Sequence, residues 1–267
     1  MYSEIDRKDA LEKLIKICRS IENIDGVILV GSGAEGFTDK WSDIDLSIVI
    51  CQEEKTRQVW DKINEKIICT FDIMKILYNE YGENNFLSAI LLNNYLELDI
   101  GVLAINRLVA KRKSWNVLYD KSGIITKKLN DTWQERKIPD LNARVENSLN
   151  SIWYHIKNGV MALKRKKSYR VIKEIEELRN EIIEIRALQE NKTAKHFRDV
   201  DDMEKCFLEK LEKTFFKEIS IDELSKTLIN SFNLYFDLIK EIRQNCEEVI
   251  KYENQLRKLL LELELFK

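Results

Sequence analysis

Apolar positions along the chain repeat with two different periods. From about residue 139 onward the step is three or four. Leu141, Val145, Leu149, Ile152, Ile156, Val160 and Leu163 make one stripe, with Asp140 placed to cap it. Ile175, Leu178, Ile182 and Ile185 mark a second helix. Leu224, Leu228, Phe232, Tyr235, Ile239 and Ile242 mark a third, opened by Ser220-Ile221-Asp222-Glu223 in the form of a capping box. Phe232, Tyr235 and Phe236 are expected in a bundle core. Before residue 139 the pattern is mixed. Residues 6–21 predict an amphipathic helix with Leu11, Leu14, Ile15 and Cys18 on one side. Gly26–Val30 predicts a short buried strand ending in a glycine turn. Asp43–Ile50 alternates and then turns wholly apolar, as a central strand does. Residues 53–66 read as helix, and 67–77 and 95–103 as strands.

Punctuation residues sharpen this division. All eight glycines lie at or before Gly159, the one proline is Pro139, and residues 160–267 contain neither type. A β-rich domain with tight turns would need them, so the second half is expected to be all helical. The fold class is therefore α+β: an N-terminal mixed-sheet domain over 1–138, then a C-terminal helical bundle over 139–267, with the seam at Pro139-Asp140. Charge adds an exclusion. Residues 1–138 hold 20 basic against 22 acidic side chains and the remainder 24 against 24. Neither half has the basic excess of a nucleic-acid grip, so no nucleic-acid partner is expected. No apolar run is long enough to span a membrane, and five scattered cysteines without a CxxC pair fit a reduced, cytoplasmic protein without a zinc site.

The chemistry is concentrated in Val30-Gly31-Ser32-Gly33 and, after a spacer of ten residues beyond Ser32, Asp43-Ile44-Asp45-Leu46. A strand ending at Gly31-Ser32 lets a ligand approach the backbone, and successive N–H groups there, backed by a helix N-terminus, suit a phosphate. Asp43 and Asp45, two apart in a strand, share a face while Ile44 and Leu46 enter the core. Two carboxylates so close repel unless a cation lies between them, and Mg²⁺ with a nucleoside triphosphate completes such a site. Leu96-Glu97-Leu98-Asp99-Ile100 offers further acids from another strand. Asp99, deeper in the apolar run, is expected as the third metal ligand, and Glu97 as a supporting residue or the general base. Three carboxylates could hold two Mg²⁺ ions, which would activate a hydroxyl and stabilise leaving pyrophosphate.

The segment from Gly31-Ser32 through Asp43-Ile44-Asp45 resembles the signature of the polymerase-β-type nucleotidyltransferase superfamily, and among its members the small bacterial aminoglycoside and lincosamide nucleotidyltransferases. Val117-Leu118-Tyr119-Asp120-Lys121-Ser122-Gly123 is similar to a segment that closes their catalytic domain. The resemblance implies transfer of a nucleotide, usually AMP from ATP, to an acceptor hydroxyl with release of pyrophosphate; the acceptor is expected in a cleft between the two domains, since the acids lie on the first and the second must cover them. It implies Asp43, Asp45 and Asp99 on Mg²⁺, and Gly31 and Ser32 on the triphosphate. One departure stands out: relatives carry Arg or Lys shortly after the Gly-Ser turn, where this chain has Ala34-Glu35-Gly36. Lys40 or a residue of the helical half would have to supply that cation.

Other readings stay open. A non-catalytic partner of a toxin pair, or an enzyme modifying a protein side chain, would use the same scaffold. His155, among Trp153 and Tyr154, is expected as a residue at a domain interface or as a stacking partner for a ligand. Lys164-Arg165-Lys166-Lys167 complements a helix dipole or meets phosphate. Lys195-His196-Phe197-Arg198 is a solvated loop or reaches the cleft. Glu177, Glu181 and Glu184 form an acidic row that would draw a polycation or is simply solvated. The apolar end Leu256–Leu261 fits a homodimer or its own bundle equally.

Overall fold

The protein is described from a computed structural model covering residues 1–37, 39–111, 113–135, 139–244 and 246–261. The chain divides into two compact units, Met1–Lys137 and Ile138–Lys267.

The first unit opens with α1 (Glu4–Arg19), whose N-cap Ser3 and Asp6 form a reciprocal capping box. β1 (Gly26–Val30) follows, then a single 3₁₀ turn over Gly31–Glu35, then β2 (Ile44–Ile50). Helix α2 (Thr56–Thr70) leads to β3 (Ile73–Glu80), β4 (Asn85–Leu92), β5 (Glu97–Ala104), β6 (Asn116–Asp120) and α3 (Ile124–Gln134). The six strands lie in the order β3-β4-β5-β2-β1-β6. Only β2 and β5 run parallel; the other neighbouring pairs are antiparallel.

Alternation assigns the sheet's two faces. Ile44, Leu46 and Ile48 of β2, Leu98, Ile100 and Val102 of β5, and Phe86 and Ile90 of β4 are buried in one core with Leu14 of α1 and Val59, Ile63 and Ile67 of α2. On the opposite face Ile28, Val49 and Leu103 meet Ile125 and Leu129 of α3. A Cβ on Gly26 would strike the Ile125 side chain, so glycine is what lets α3 settle there. On this second face, Val49 belongs to the row that contains Asp45, and Leu103 to the row that contains Asp99 and Glu97. Helix α3 thus covers the far end of the rows on which the acids stand.

Two expected boundaries move. The helix predicted over 53–66 runs on to Thr70, and the strand predicted over 67–77 begins at Ile73. Ile67 is fully buried and continues the four-residue step of Val59 and Ile63, so the apolar Ile67-Ile68 pair belongs to the helix. Strand β4 escapes the sequence pattern because Ser88 stands among its buried residues while Leu87, Ala89 and Leu91 occupy its half-open face. Ser88 is paid for locally: Trp60 Nε1 donates to its Oγ at 2.8 Å, and Oγ donates to Asn64 Oδ1 at 2.7 Å.

The second unit comprises α4 (Leu141–Lys164), α5 (Ser168–Gln189), α6 (Lys205–Leu211), α7 (Ile221–Ile242) and α8 (Glu247–Leu261). The apolar stripes of α4, α5 and α7 converge in one core centred on Phe232, Tyr235 and Phe236. Asp140 caps α4 by accepting the Asn142 N–H. Ser220 caps α7 by accepting the Glu223 N–H, while the Glu223 carboxylate takes the Lys217 N–H rather than returning to its own cap. Leu260 at the chain's apolar end is buried in this core. No helix among the described residues is long and apolar enough to cross a membrane.

Candidate active site

Parallel pairing of β2 and β5 sets the site. Strands that run the same way begin at the same end, so the acids that open each one lie side by side. Asp45 is the register partner of Asp99, and Ile44 that of Leu98. Asp43 stands immediately before Ile44 as Glu97 stands immediately before Leu98. Four carboxylates therefore form two adjacent pairs at one end of a single sheet face. Asp43 lies just outside the strand and is exposed, whereas Asp45, Glu97 and Asp99 are half-buried.

Their electrostatics follow from that crowding. Burial, and after it the charges of Glu97, Asp45 and Asp43, pushes the Asp99 carboxyl up to about 6. Glu97 is raised by burial and then by Asp43 and Asp45. Asp43 is exposed as a residue, but partial covering of its carboxyl is the first cause that raises it, against the opposing pull of the Glu97 backbone N–H; Asp39 raises it further and Arg7 lowers it. Asp99 Oδ1 is buried and has no hydrogen-bond partner. A buried, unpartnered carboxylate oxygen facing three other acids is a donor set that calls for a divalent cation. The fit lies in the chemistry of the donors. Among the described residues no three His, Cys, Asp or Glu side chains already stand close enough together to hold a metal ion.

The Gly31-Ser32 turn meets the acids directly. Gly31 has φ +63°, and a Cβ there would collide with Asp45 Oδ2, so the turn can press against the carboxylate only as glycine. The helix expected behind this turn is a single 3₁₀ turn closed by left-handed Gly36. It is too short to contribute a macrodipole, and any phosphate would be met by local N–H groups and the Ser32 hydroxyl. Lys40 is exposed, with its Nζ 4.6 Å from the centre of the Trp41 ring. Glu35 is exposed at the end of the 3₁₀ turn.

Several features singled out in the sequence have structural partners. His155 Nδ1 lies 2.8 Å from Oε2 of the fully buried Glu174, within the second unit. Arg144 binds both oxygens of Glu181 and one of Glu184, and Lys173 pairs with Glu177, so the acidic row of α5 is largely neutralised. Asp120 caps α3, accepting the Thr126 N–H at 2.9 Å and its hydroxyl at 2.8 Å. Two residues behind Asp43, Tyr2 and Arg7, are absent from the sequence reading. Arg7 was nevertheless marked by periodicity, being a charge in the buried stripe Arg7, Ala10, Leu14, Ile17 of α1.

Residues 12–96 match the family model described as Polymerase beta, Nucleotidyltransferase. That similarity covers 85 of the 267 residues, all within the first unit. The matched stretch holds Gly31, Ser32, Asp43 and Asp45 and stops just short of Glu97 and Asp99. No curated protein sequence matches the chain. Among solved structures, an aminoglycoside 6-adenyltransferase from Bacillus subtilis aligns at 18% identity and TM-score 0.42, over 99% of both chains. A nucleotidyltransferase-like protein from Exiguobacterium sibiricum aligns at 10% identity and TM-score 0.41, over 96% of this chain and 88% of that one. The Cid1 poly(U) polymerase aligns at 16% identity and TM-score 0.33, over 55% of this chain and 40% of that one.

Proposed function

We propose that this protein transfers a nucleoside monophosphate, AMP from ATP, to a hydroxyl of a small molecule with release of pyrophosphate, an aminoglycoside or lincosamide antibiotic being the expected acceptor. The observation that supports this reading is the double pair Asp43–Glu97 and Asp45–Asp99 beside a glycine turn that touches Asp45. Asp43, Asp45 and Asp99 would hold Mg²⁺, two ions in the complete site, which when bound neutralises phosphate charge and favours the alkoxide of the acceptor. Gly31 and Ser32 bind the triphosphate through backbone N–H groups and a hydroxyl, and Lys40 supplies the cation that Glu35 cannot. Glu97 or Asp99 takes the proton of the attacking hydroxyl. Both carboxyls are raised from their ordinary values, toward the pH at which a carboxylate works as a base. The acceptor oxygen forms a bond to the α-phosphorus as the bond to the bridging oxygen of pyrophosphate breaks.

The test is pyrophosphate release from ATP and MgCl₂ with a panel of aminoglycosides, lincosamides and a short RNA. Release with a hydroxylated small molecule is expected, falling at least about a hundredfold in Asp43→Asn and Asp45→Asn while far-ultraviolet circular dichroism stays unchanged. Release by the Asn variants at the wild-type rate overturns the assignment of the acids. Release with RNA alone overturns the small-molecule acceptor. Failure to bind ATP at all would favour a non-catalytic partner role.

A further inference from the structure

We infer that Arg7 is a positioning residue for Asp43: from α1 it fixes the backbone that delivers this aspartate to the head of β2, and so sets how tightly the acid cluster holds a divalent cation. This rests on the reading of the cluster as a cation site.

Arg7 is only 4% exposed, although it is a permanently charged side chain on a helix. A buried guanidinium is costly unless its charge is met. Among the described residues no carboxylate lies within ion-pair distance of it. What meets it is the segment just before β2. Its Nη1 donates to the carbonyl of Asp39 at 2.9 Å and to the carbonyl of Ser42 at 3.0 Å, and its Cζ lies 4.3 Å from the centre of the Phe37 ring. Tyr2 Oη adds a donor to the same Ser42 carbonyl at 3.2 Å. Phe37 itself sits at φ +57°, a conformation a bulky residue does not adopt without support.

The leverage lies in the peptide plane. The Ser42 carbonyl and the Asp43 N–H belong to one rigid unit. Two donors converging on that carbonyl fix the plane's orientation, and with it the direction in which Asp43 leaves the chain. Bridging Asp39 and Ser42 with the two hydrogens of one nitrogen also holds the turn between them closed. Among the described residues no other side chain of α1 hydrogen-bonds to this segment; Tyr2, which adds its hydroxyl, precedes the helix. The clamp is built from the N-terminal helix, over thirty residues upstream, for a segment that has no regular structure of its own.

The experiment is a Mn²⁺ titration of the full chain by electron paramagnetic resonance, with thermal unfolding in EDTA run in parallel. Arg7→Gln is expected to raise the Mn²⁺ dissociation constant about tenfold, as loss of a ligand-orienting partner does elsewhere. Tyr2→Phe, at a partly exposed site, should raise it about threefold, the worth of one hydrogen bond. Arg7→Lys, which keeps the charge but not the planar fork, should fall between wild type and Arg7→Gln. A purely structural role would lower the unfolding midpoint and leave the dissociation constant of the folded protein untouched. Wild-type affinity in folded Arg7→Gln, or in Tyr2→Phe should Arg7→Gln not fold, overturns the inference while leaving the cation site standing. Absence of Mn²⁺ binding by the wild type overturns both.

Discussion

Four acids gathered at one end of the sheet should make the cation-free protein less stable than it could be, and Asp99→Asn measures the share that Asp99 contributes. The Asp99 carboxyl is pushed from an ordinary 3.8 up to about 6, by burial first and then by Glu97, Asp45 and Asp43. The sign follows from proton binding. Between about pH 4 and pH 6 the folded protein holds a proton that the unfolded chain has released, so stability falls as pH rises through that window and stays low above it. At about 1.4 kcal/mol per tenfold change, the ceiling is about 3 kcal/mol. Screening at a half-open site reduces this to about 1–2 kcal/mol. Asparagine keeps the shape and removes the charge. Because Asp99 Oδ1 has no hydrogen-bond partner to lose, the substitution reports the burial of that charge together with its repulsion by the neighbouring acids. Urea unfolding in EDTA can be followed by tryptophan emission, since four of the five tryptophans (Trp41, Trp60, Trp115, Trp133) lie in the first unit. The variant should exceed wild type by about 1–2 kcal/mol at pH 7.5 and match it at pH 4. Added MgCl₂ should stabilise wild type and not the variant. Equal or lower stability of the variant at pH 7.5, or a gap that persists at pH 4, refutes the reasoning.

Two further substitutions follow from particular contacts. Gly31→Ala places a Cβ against Asp45 Oδ2 at φ +63°, so it should cost about 1–2 kcal/mol in backbone strain alone and weaken Mn²⁺ binding by displacing that carboxylate; wild-type affinity in the resonance titration would contradict this. Ser88→Ala leaves both the Trp60 indole N–H and Asn64 Oδ1 without their buried partner, an expected loss of about 2–3 kcal/mol in urea unfolding with a change in Trp60 emission.

The helical half was legible because its stripes are long and uninterrupted. Val145, Ile152, Ile156 and Val160 recur through more than four turns, and all four are fully buried. In the first half, β1 was legible as a short apolar run closed by a glycine turn and β2 by the differing polarity of its two faces, whereas β4 was not. Asp45 and Ser47 alternate with Ile44, Leu46 and Ile48, which reveals β2; Leu87, Ala89 and Leu91 give β4 a half-open face as apolar as its buried one. The acids were visible as residue types, and Asp99 could be matched to Asp45 once two strands were assumed adjacent. That the strands run parallel, pairing Asp45 with Asp99 and Asp43 with Glu97, is a property of chain topology that local pattern does not encode. The Arg7 clamp was hidden for a similar reason. A charge within an apolar stripe is conspicuous, but its partners are backbone carbonyls, which every residue has.

Parallel pairing also dictates when the acids can meet. Asp45 and Asp99 are neighbours across the sheet, yet about fifty residues of chain, with α2 and the β3–β4 hairpin, must be laid down between them, and closing so long a loop is slow and entropically unfavourable. A nascent chain that has reached Leu92 already holds β1, β2 and their glycine turn but only half of its carboxylates. Under the proposed function, cation affinity would consequently belong to the finished sheet, and an ion would reward completion of the domain without guiding the steps that come before.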